Sequence, residues 1–256
     1  MRRQVRRPAR RFGALAFFVS ALALAQPALA EDAPPRFDDK DKAAIQEIVR
    51  DYLVENPEVL IEAFQVLEER EQAASLAETK AAIAKSREAI YDNPDDYVAG
   101  NPKGDVTLVE FFDYTCGHCK RSFEPLMEFV KADGNIRLVL KEFPILGPSA
   151  LTATKAAIAA RKQDRYFEMH QALYRHKGQL DEKAIMAIAE DLGLDTERLR
   201  KDMQDPAIAE QVSRQYNLAE VLGIDGTPAF IMGDTLYPGA VDKARLTEMV
   251  KTARGS

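Results

Sequence analysis

The chain has few of the side chains that bind zinc. Its 256 residues include only two cysteines and three histidines. A structural zinc site needs four ligands, and His170 and His176, the two histidines outside the cysteine segment, are six residues apart rather than at ligand spacing. We interpret both as solvated helix residues. For the two cysteines, the alternative to a redox pair is a zinc half-site; we expect no resident metal and no cofactor.

The body of the chain also lacks a surplus of basic residues. The formal net charge is −6, but the first thirty residues contain six arginines and no acid. Without that segment, 29 basic residues face 41 acidic ones and the charge becomes −12. Affinity for nucleic acid depends on Lys and Arg neutralising phosphates. This composition therefore excludes a nucleic-acid partner and favours a soluble protein that acts on other proteins.

The opening segment has the three parts of an export signal. A basic stretch ends at Arg11, an apolar run follows over 12–25, and Ala28-Leu29-Ala30 provides small residues at the cleavage positions. The apolar run is short for a membrane span, although an uncleaved anchor is the alternative, and no later stretch is suited to cross a bilayer. We predict a signal peptide over 1–30, cleavage after Ala30 and a periplasmic location.

The two cysteines, Cys116 and Cys119, are separated by only two residues. A structural disulfide usually closes a longer loop, because its stabilisation is thought to grow with loop length. The short spacing therefore predicts redox chemistry.

Residues 31–92 have the pattern of a helical extension. A polar stretch over 31–42 is typical of a linker, and apolar residues from Ile45 to Leu53 recur at helical spacing. Asn56-Pro57 predicts the start of a second helix that runs to about Ile90. Its apolar stripe is thin, so this helix must pack on the body or on a second copy of the chain.

The order of predicted strands and helices over residues 93–256 indicates one α/β domain. The pattern predicts a strand over Val106–Phe112, a helix from Cys116 to about Ala132, and a second, parallel strand over Ile136–Lys141. A helical block follows over about 147–222. A hairpin around Gly233-Asp234 and a closing helix complete the domain.

The Cys-Gly-His-Cys sequence is predicted to lie at the N-terminus of a helix, where free N–H groups and the helix dipole stabilise a thiolate. Cys116, in the first turn, is the predicted exposed nucleophile, and Cys119, one turn later, is the predicted buried resolving thiol. His118 is expected to add positive charge beside Cys116. A stabilised thiolate makes the disulfide a better oxidant.

These residues also carry a family resemblance. Segment 109–119 resembles the active-site segment of the DsbA-like thiol oxidoreductases, and 226–230, Gly-Thr-Pro-Ala-Phe, resembles the family's cis-proline loop. Segment 53–60 is similar to the N-terminal extension of the suppressor-of-copper-sensitivity, or ScsC-like, branch. The resemblance implies a thioredoxin-like fold with an inserted helical domain and an N-terminal helical extension.

The resemblance also implies roles for four further residues. Thr227 and Pro228 would present backbone groups to a client strand. Glu110 would pair with Lys141 and relay protons to Cys119; the alternative is that Glu110 faces solvent at a sheet edge.

The dipeptide Gly117-His118 equals that of protein disulfide isomerase.

Three functions remain open from the sequence. The first is a disulfide isomerase or shuffling oxidoreductase that acts on unfolded or misfolded exported proteins, depends on a membrane thiol-redox partner and forms a homo-oligomer through its N-terminal helices. The second is a monomeric thiol oxidase. The third is a protein that binds Cu(I) through the same thiolates.

Overall fold

A computed structural model describes residues 37–255. The predicted signal peptide over 1–30 lies outside this range. Contacts divide the chain into a unit that ends at Ala63 and a unit that begins at Phe64. No described helix combines the length and the apolar character that a membrane span requires.

The described residues form helices and one five-stranded sheet. The helices are α1 (Asp39–Glu55), α2 (Glu58–Lys85), α3 (Arg87–Tyr91), α4 (Gly117–Asp133), α5 (Pro148–Ala160), α6 (Tyr166–Arg175), α7 (Glu182–Asp191), α8 (Thr196–Asp202), α9 (Pro206–Leu222) and α10 (Lys243–Arg254), with a 3₁₀ turn at Arg161–Gln163. The strands are β1 (Tyr97–Gly100), β2 (Val106–Phe112), β3 (Ile136–Glu142), β4 (Ala229–Met232) and β5 (Thr235–Pro238).

Helix α1 begins earlier than the sequence pattern predicted. The Asp38 side chain accepts hydrogen bonds from the N–H groups of Lys40 and Asp41, and the Asp41 side chain accepts one from the Asp38 N–H. This capping box satisfies N–H groups that have no partner within the helix. The predicted linker over 31–42 is therefore wrong at its end, because residues 39–42 belong to α1.

The predicted long helix from Pro57 to Ile90 is interrupted. Helix α2 ends at Lys85 and α3 begins at Arg87, with Ser86 between them. Ile83, Ile90 and Tyr91 are all buried in one core with β2 residues. The break at Ser86 allows the end of this segment to turn onto the sheet.

The sheet has the order β1-β3-β2-β4-β5. Strands β2 and β3 are parallel, as predicted, and every other pairing is antiparallel. Strand β1 was not predicted, because its four residues lie in a segment rich in Asp, Asn, Pro and Gly that indicates a boundary. The predicted hairpin around Gly233-Asp234 is the β4–β5 pair.

Each face of the sheet covers a separate core. Along β2, Leu108 and Phe112 belong to the larger core, which includes α4 and the helical insertion. Val109 and Phe111 belong to the smaller core, which includes α3 and the end of α9. This alternation follows from the period of two along a strand and places the cysteine pair on the Leu108 face.

Helices α5 to α9 form the helical insertion predicted between β3 and β4. Within it, His170 is buried and not solvated, so that prediction was wrong. His170 lies four residues after Tyr166 on the buried face of α6, and the Tyr114 hydroxyl is 3.0 Å from its Nδ1. Burial lowers the pKa of His170 to about 3, so the ring is neutral.

Candidate active site

Cys116 is the N-cap of α4. Its backbone is extended, and its Sγ accepts a hydrogen bond from the Cys119 N–H at 3.5 Å. The sulfur thus takes the place that a Ser or Asp oxygen has at other helix starts. The helix begins where the sequence predicted, so Cys116 lies at the positive end of the helix dipole.

The two thiols differ in burial less than predicted. Both are free, Cys119 is 0% exposed and Cys116 is only 5% exposed. Cys116 is therefore a nearly covered nucleophile and not an exposed one. The cover includes the predicted client-binding loop, because Cys116 Sγ lies 3.2 Å from the Thr227 carbonyl oxygen. The Thr227–Pro228 peptide bond is cis.

Glu110 lies in the same core as Cys119. Its side chain is 1% exposed, its Oε2 has no hydrogen-bond partner among the described residues, and burial raises its pKa to about 8. Burial also raises the pKa of Cys119, and the Glu110 carboxylate raises it further. Glu110 is therefore buried rather than at an edge, and it interacts electrostatically with the second thiol.

The predicted Glu110–Lys141 pair is wrong. In the parallel register Glu110 is opposite Leu140, whereas Lys141 is opposite Phe111. Side chains of neighbouring positions along a strand point to opposite faces, so Lys141 lies on the other side of the sheet. There it forms a buried ion pair with Asp96.

His118 is exposed at the start of α4, and its predicted positive charge stays a prediction. An Arg121 Nη2 lies 3.0 Å from His118 Nδ1. A guanidinium has donors and no acceptor, so His118 Nδ1 is the acceptor in this contact.

Asp113 is a structural residue of the site that the sequence analysis missed. Its Oδ1 accepts hydrogen bonds at 2.7 Å from both the N–H and the hydroxyl of Thr115, and its Oδ2 accepts one at 2.9 Å from the Leu146 N–H. Asp113 thus holds the turn before Cys116 against the segment after β3. The Asp-x-Thr spacing, which favours an Asx turn, was the available signal.

Glu142 was also missed. It accepts hydrogen bonds from the hydroxyls of Tyr114 at 2.9 Å, Tyr166 at 2.8 Å and Thr154 at 2.8 Å. The three donors come from the loop before Cys116 and from two helices of the insertion. No sequence spacing relates them, because their contact depends on the docking of the insertion onto the sheet.

Two thiols at a helix start can exchange disulfides or bind a soft metal ion. Within 37–255 no group of three or more His, Cys, Asp or Glu side chains is placed to bind a metal ion.

Two family models match the chain. One, described as a DSBA-like thioredoxin domain, matches residues 107–251. The other, described as the Copper resistance protein ScsC N-terminal domain, matches residues 41–74. The first match includes both cysteines, Glu110 and the Thr227–Pro228 loop.

Solved structures are similar over most of the chain. A thioredoxin-like oxidoreductase from Silicibacter pomeroyi is 42% identical, with a TM-score of 0.65 over 66% of this chain and 98% of that one. A linker-deletion mutant of Proteus mirabilis ScsC is 28% identical, with a TM-score of 0.66 over 87% and 99%. The thiol-disulfide exchange protein α-DsbA2 of Wolbachia pipientis is 32% identical, with a TM-score of 0.65 over 70% and 97%.

The chain spans about a quarter of the length of the curated relatives it matches first. One of these is the Na⁺/H⁺ antiporter NhaA 1 of Salinispora arenicola, which is 31% identical over 164 residues, 63% of this chain and 25% of that protein.

Proposed function

The chain belongs to the DsbA-like thioredoxin-domain family of thiol–disulfide oxidoreductases and carries an ScsC-type N-terminal segment, and from this premise we propose that it is an exported disulfide isomerase. The two matches and the ScsC structure confirm the predicted thioredoxin-like fold with a helical insertion and an N-terminal helical region. Its proposed clients are misfolded exported proteins.

The observation that carries the proposal is the position of Cys116. Its Sγ lies at a helix start and 3.2 Å from the Thr227 carbonyl oxygen. The same Sγ accepts a hydrogen bond from the Cys119 N–H. In general, the free N–H groups at a helix N-terminus favour an anion at such a position. An extended client segment that pairs with the backbone of Thr227 would bring its own disulfide to this sulfur.

The proposed reaction is a balanced thiol exchange. The Cys116 thiolate attacks one sulfur of a client disulfide, a Cys116–client bond forms, the client bond breaks, and the second client sulfur leaves as a thiolate. In isomerisation another client thiolate then attacks the mixed disulfide and releases Cys116 unchanged. No electrons are gained or lost overall.

Cys119 resolves a mixed disulfide that no client thiolate attacks. Its thiol loses a proton, for which the ionised form of Glu110 is the proposed acceptor, and the resulting thiolate attacks Cys116 Sγ. The Cys116–client bond breaks, and the client sulfur leaves as a thiolate. The product is a Cys116–Cys119 disulfide and a client with one disulfide fewer. The membrane thiol-redox partner that we propose would then return two electrons to the pair.

Isomerase activity and self-association are supported by the N-terminal helices. Helix α1 has no buried residue, and its exposed apolar side chains include Ile48, Val49 and Tyr52. In α2, Phe64 is 69% exposed. Such surfaces mark interaction sites, and several active sites facing one client favour reshuffling. The Gly117-His118 dipeptide agrees with this activity.

Export is supported by the N-terminal sequence pattern and by a relative. A periplasmic thioredoxin-like protein from Salmonella enterica serovar Typhimurium has 26% identity and a TM-score of 0.58 to this chain.

Refolding of scrambled ribonuclease tests the proposal. We expect the reduced protein to restore ribonuclease activity, the Cys116→Ser variant to restore none, and the Cys119→Ala variant to accumulate mixed disulfides with the client. The mixed disulfides would be counted on non-reducing gels after acid quenching. Full activity of Cys116→Ser would contradict the proposal, and oxidation of reduced ribonuclease without repair of scrambled ribonuclease would indicate a thiol oxidase.

A second candidate function is Cu(I) binding, which the match to the N-terminal domain of a copper resistance protein favours. The thiolates of Cys116 and Cys119 are soft ligands suited to Cu(I). We expect one Cu(I) per reduced protein in competition with a chromogenic chelator, and loss of that binding in Cys116→Ser. Binding that does not change in the variant would exclude this site.

A further inference from the structure

A cavity of about 530 Å³ lies at the end of α4 that is remote from the cysteines. Its lining comes from the end of β1 and the loop that follows, from the last turns of α4 and from α6. The rise of about 1.5 Å per helical residue puts Val130 about 20 Å along α4 from Cys116. The cavity is therefore separate from the thiol site.

The apolar part of the lining is held in place by the core. Ala99 and Val130 are buried in the larger core, and Met127 and Phe167 are partly buried against it. The Phe167 ring stacks on the Tyr97 ring, with 5.6 Å between the ring centroids and 6° between the ring planes. A ligand that covers Met127 and Phe167 would remove apolar surface from water, which is favourable.

The rim of the cavity is fixed by Asn101. Its Nδ2 donates to the Gly134 carbonyl at 3.0 Å, its Oδ1 accepts from the Lys103 N–H at 2.9 Å, and its N–H donates to the Ile136 carbonyl at 2.8 Å. At Gly100, φ is +70° and an added Cβ would lie 2.5 Å from the Ile136 carbonyl oxygen. Only glycine allows this close approach, so the cavity is preformed, as small-molecule sites usually are.

Two polar side chains at the cavity have no partner. No carboxylate in the described part of the chain lies within ion-pair distance of Lys131. The side-chain amide of Gln171 has no hydrogen bond with any residue over 37–255. Among the described residues that line the cavity, none is acidic. The lining is thus complementary to an apolar molecule with one negative charge.

We propose that this cavity binds an aliphatic carboxylate, whose chain covers Met127 and Phe167 and whose carboxylate pairs with Lys131. The amide of Gln171 donates to a carboxylate oxygen. The unbranched side chain of Met127 adapts to a flexible chain. Small-molecule sites have volumes of roughly 300–1,000 Å³, and this cavity is within that range. Binding here does not depend on thiol exchange by the cysteines.

Methyl NMR of the full chain, labelled with ¹³C at the methionine methyls, tests the proposal with decanoate as the probe. A Met127→Leu sample assigns the signal. We expect the Met127 methyl to shift saturably and that of Met249, buried in α10, to stay unchanged. Decyltrimethylammonium should bind at least about tenfold more weakly, because attraction to Lys131 becomes repulsion. Equal dissociation constants of the two probes, or a similar shift of all methionine methyls, would overturn the proposal.

Two variants test the position of the ligand. Lys131→Gln should weaken decanoate binding about fivefold, the upper range for an ion pair at an exposed position. Gln171→Trp, which puts an indole into the cavity, should abolish the Met127 shift. Lys183→Gln, at an exposed position of α7, is the matched control and should keep the native dissociation constant.

The methionine spectrum of each variant without decanoate shows whether the variant is folded. If Gln171→Trp does not fold, Lys131→Gln alone decides the test. Native affinity in either folded variant would overturn the proposal, and so would equal losses of affinity in Lys131→Gln and Lys183→Gln.

Discussion

At the scale of single residues, Glu110 shows how burial decides chemistry. The carboxyl lies in the apolar core beside Cys119, and its pKa is about 8 against an ordinary value of 4.5. For an acid with a raised pKa, the folded state keeps the proton that the unfolded state releases. The contribution of this proton to the free energy of unfolding is fully present below pH 4.5. It is lost as the pH rises to about 8, and the loss is on the order of 5 kcal/mol.

We expect Glu110→Gln to remove this pH dependence, because the amide does not ionise. Urea unfolding should give similar free energies for variant and native protein at pH 4.5, and a variant that is about 3–5 kcal/mol more stable at pH 8. Glu128→Gln, on the exposed side of α4, is the matched control. Its free energy of unfolding should have the same pH dependence as that of the native protein. Parallel pH profiles for native protein and Glu110→Gln would contradict this account.

Lys141 has a structural role. Its Nζ donates to Asp96 and to the Ala89 carbonyl, and both charged side chains are essentially inaccessible. Asp96 also accepts a hydrogen bond at 2.6 Å from Gln215. Burial raises the pKa of Asp96 and lowers that of Lys141, and the opposite charge of each partner offsets this effect.

Removing one member of this pair leaves a buried charge without a partner. We expect Lys141→Met to lower the free energy of unfolding by about 3–5 kcal/mol, measured in urea at pH 7, and the double variant with Asp96→Asn to regain at least half of the loss. Because Lys141 and Cys119 lie on opposite faces of the sheet, thiol exchange by the folded variant should stay within about twofold of native. A large loss of thiol exchange with an unchanged free energy of unfolding would show that Lys141 takes part in the reaction.

At the scale of elements, α1 carries apolar side chains that its own unit does not bury. Ile48 is 67% exposed and Val49 is 50% exposed. The capping box of Asp38 and Asp41 stabilises the start of this helix, so its formation does not depend on these apolar residues.

We expect the double substitution Ile48→Glu and Val49→Glu to abolish self-association, because two charges would be buried in the interface. Light scattering of the full chain would show a fall in mass, with the thermal midpoint of the catalytic domain unchanged. Lys42→Glu, on the same helix, is the control for added negative charge. A native protein that is already monomeric would remove the oligomer from the proposal.

At the scale of the whole molecule, Glu142 joins the sheet to the insertion. It receives one hydroxyl from the loop before Cys116 and two from α5 and α6. Burial raises its pKa and the three donors offset only part of this effect, so that the pKa is about 8. A buried polar cluster of this kind specifies one docking geometry when all its members are paired.

We expect Tyr166→Phe to lower the free energy of unfolding by about 1–2 kcal/mol, because one buried acceptor loses a donor. Thermal or urea unfolding would measure the loss. Tyr52→Phe, at an exposed position of α1, is the matched control and should have no effect. Equal stabilities of the two variants would show that the Tyr166 hydroxyl does not contribute.

Much of this protein follows from its sequence by itself. The start of α4 at the cysteines, the parallel pair β2–β3 and the hairpin around Gly233-Asp234 were predicted, because local periodicity, capping and turn chemistry depend on neighbouring residues. The resemblance of two short segments placed Cys116 opposite the Thr227–Pro228 loop, although 111 residues separate the sulfur from that carbonyl.

Only the tertiary structure decided which charged groups meet. The sequence put Glu110 and Lys141 on neighbouring strands, but the register of β2 and β3 sends them to opposite faces. His170 became a buried neutral ring, and the Arg121 guanidinium lies beside His118. These outcomes depend on register, docking and desolvation, which arise between distant segments and leave no local pattern.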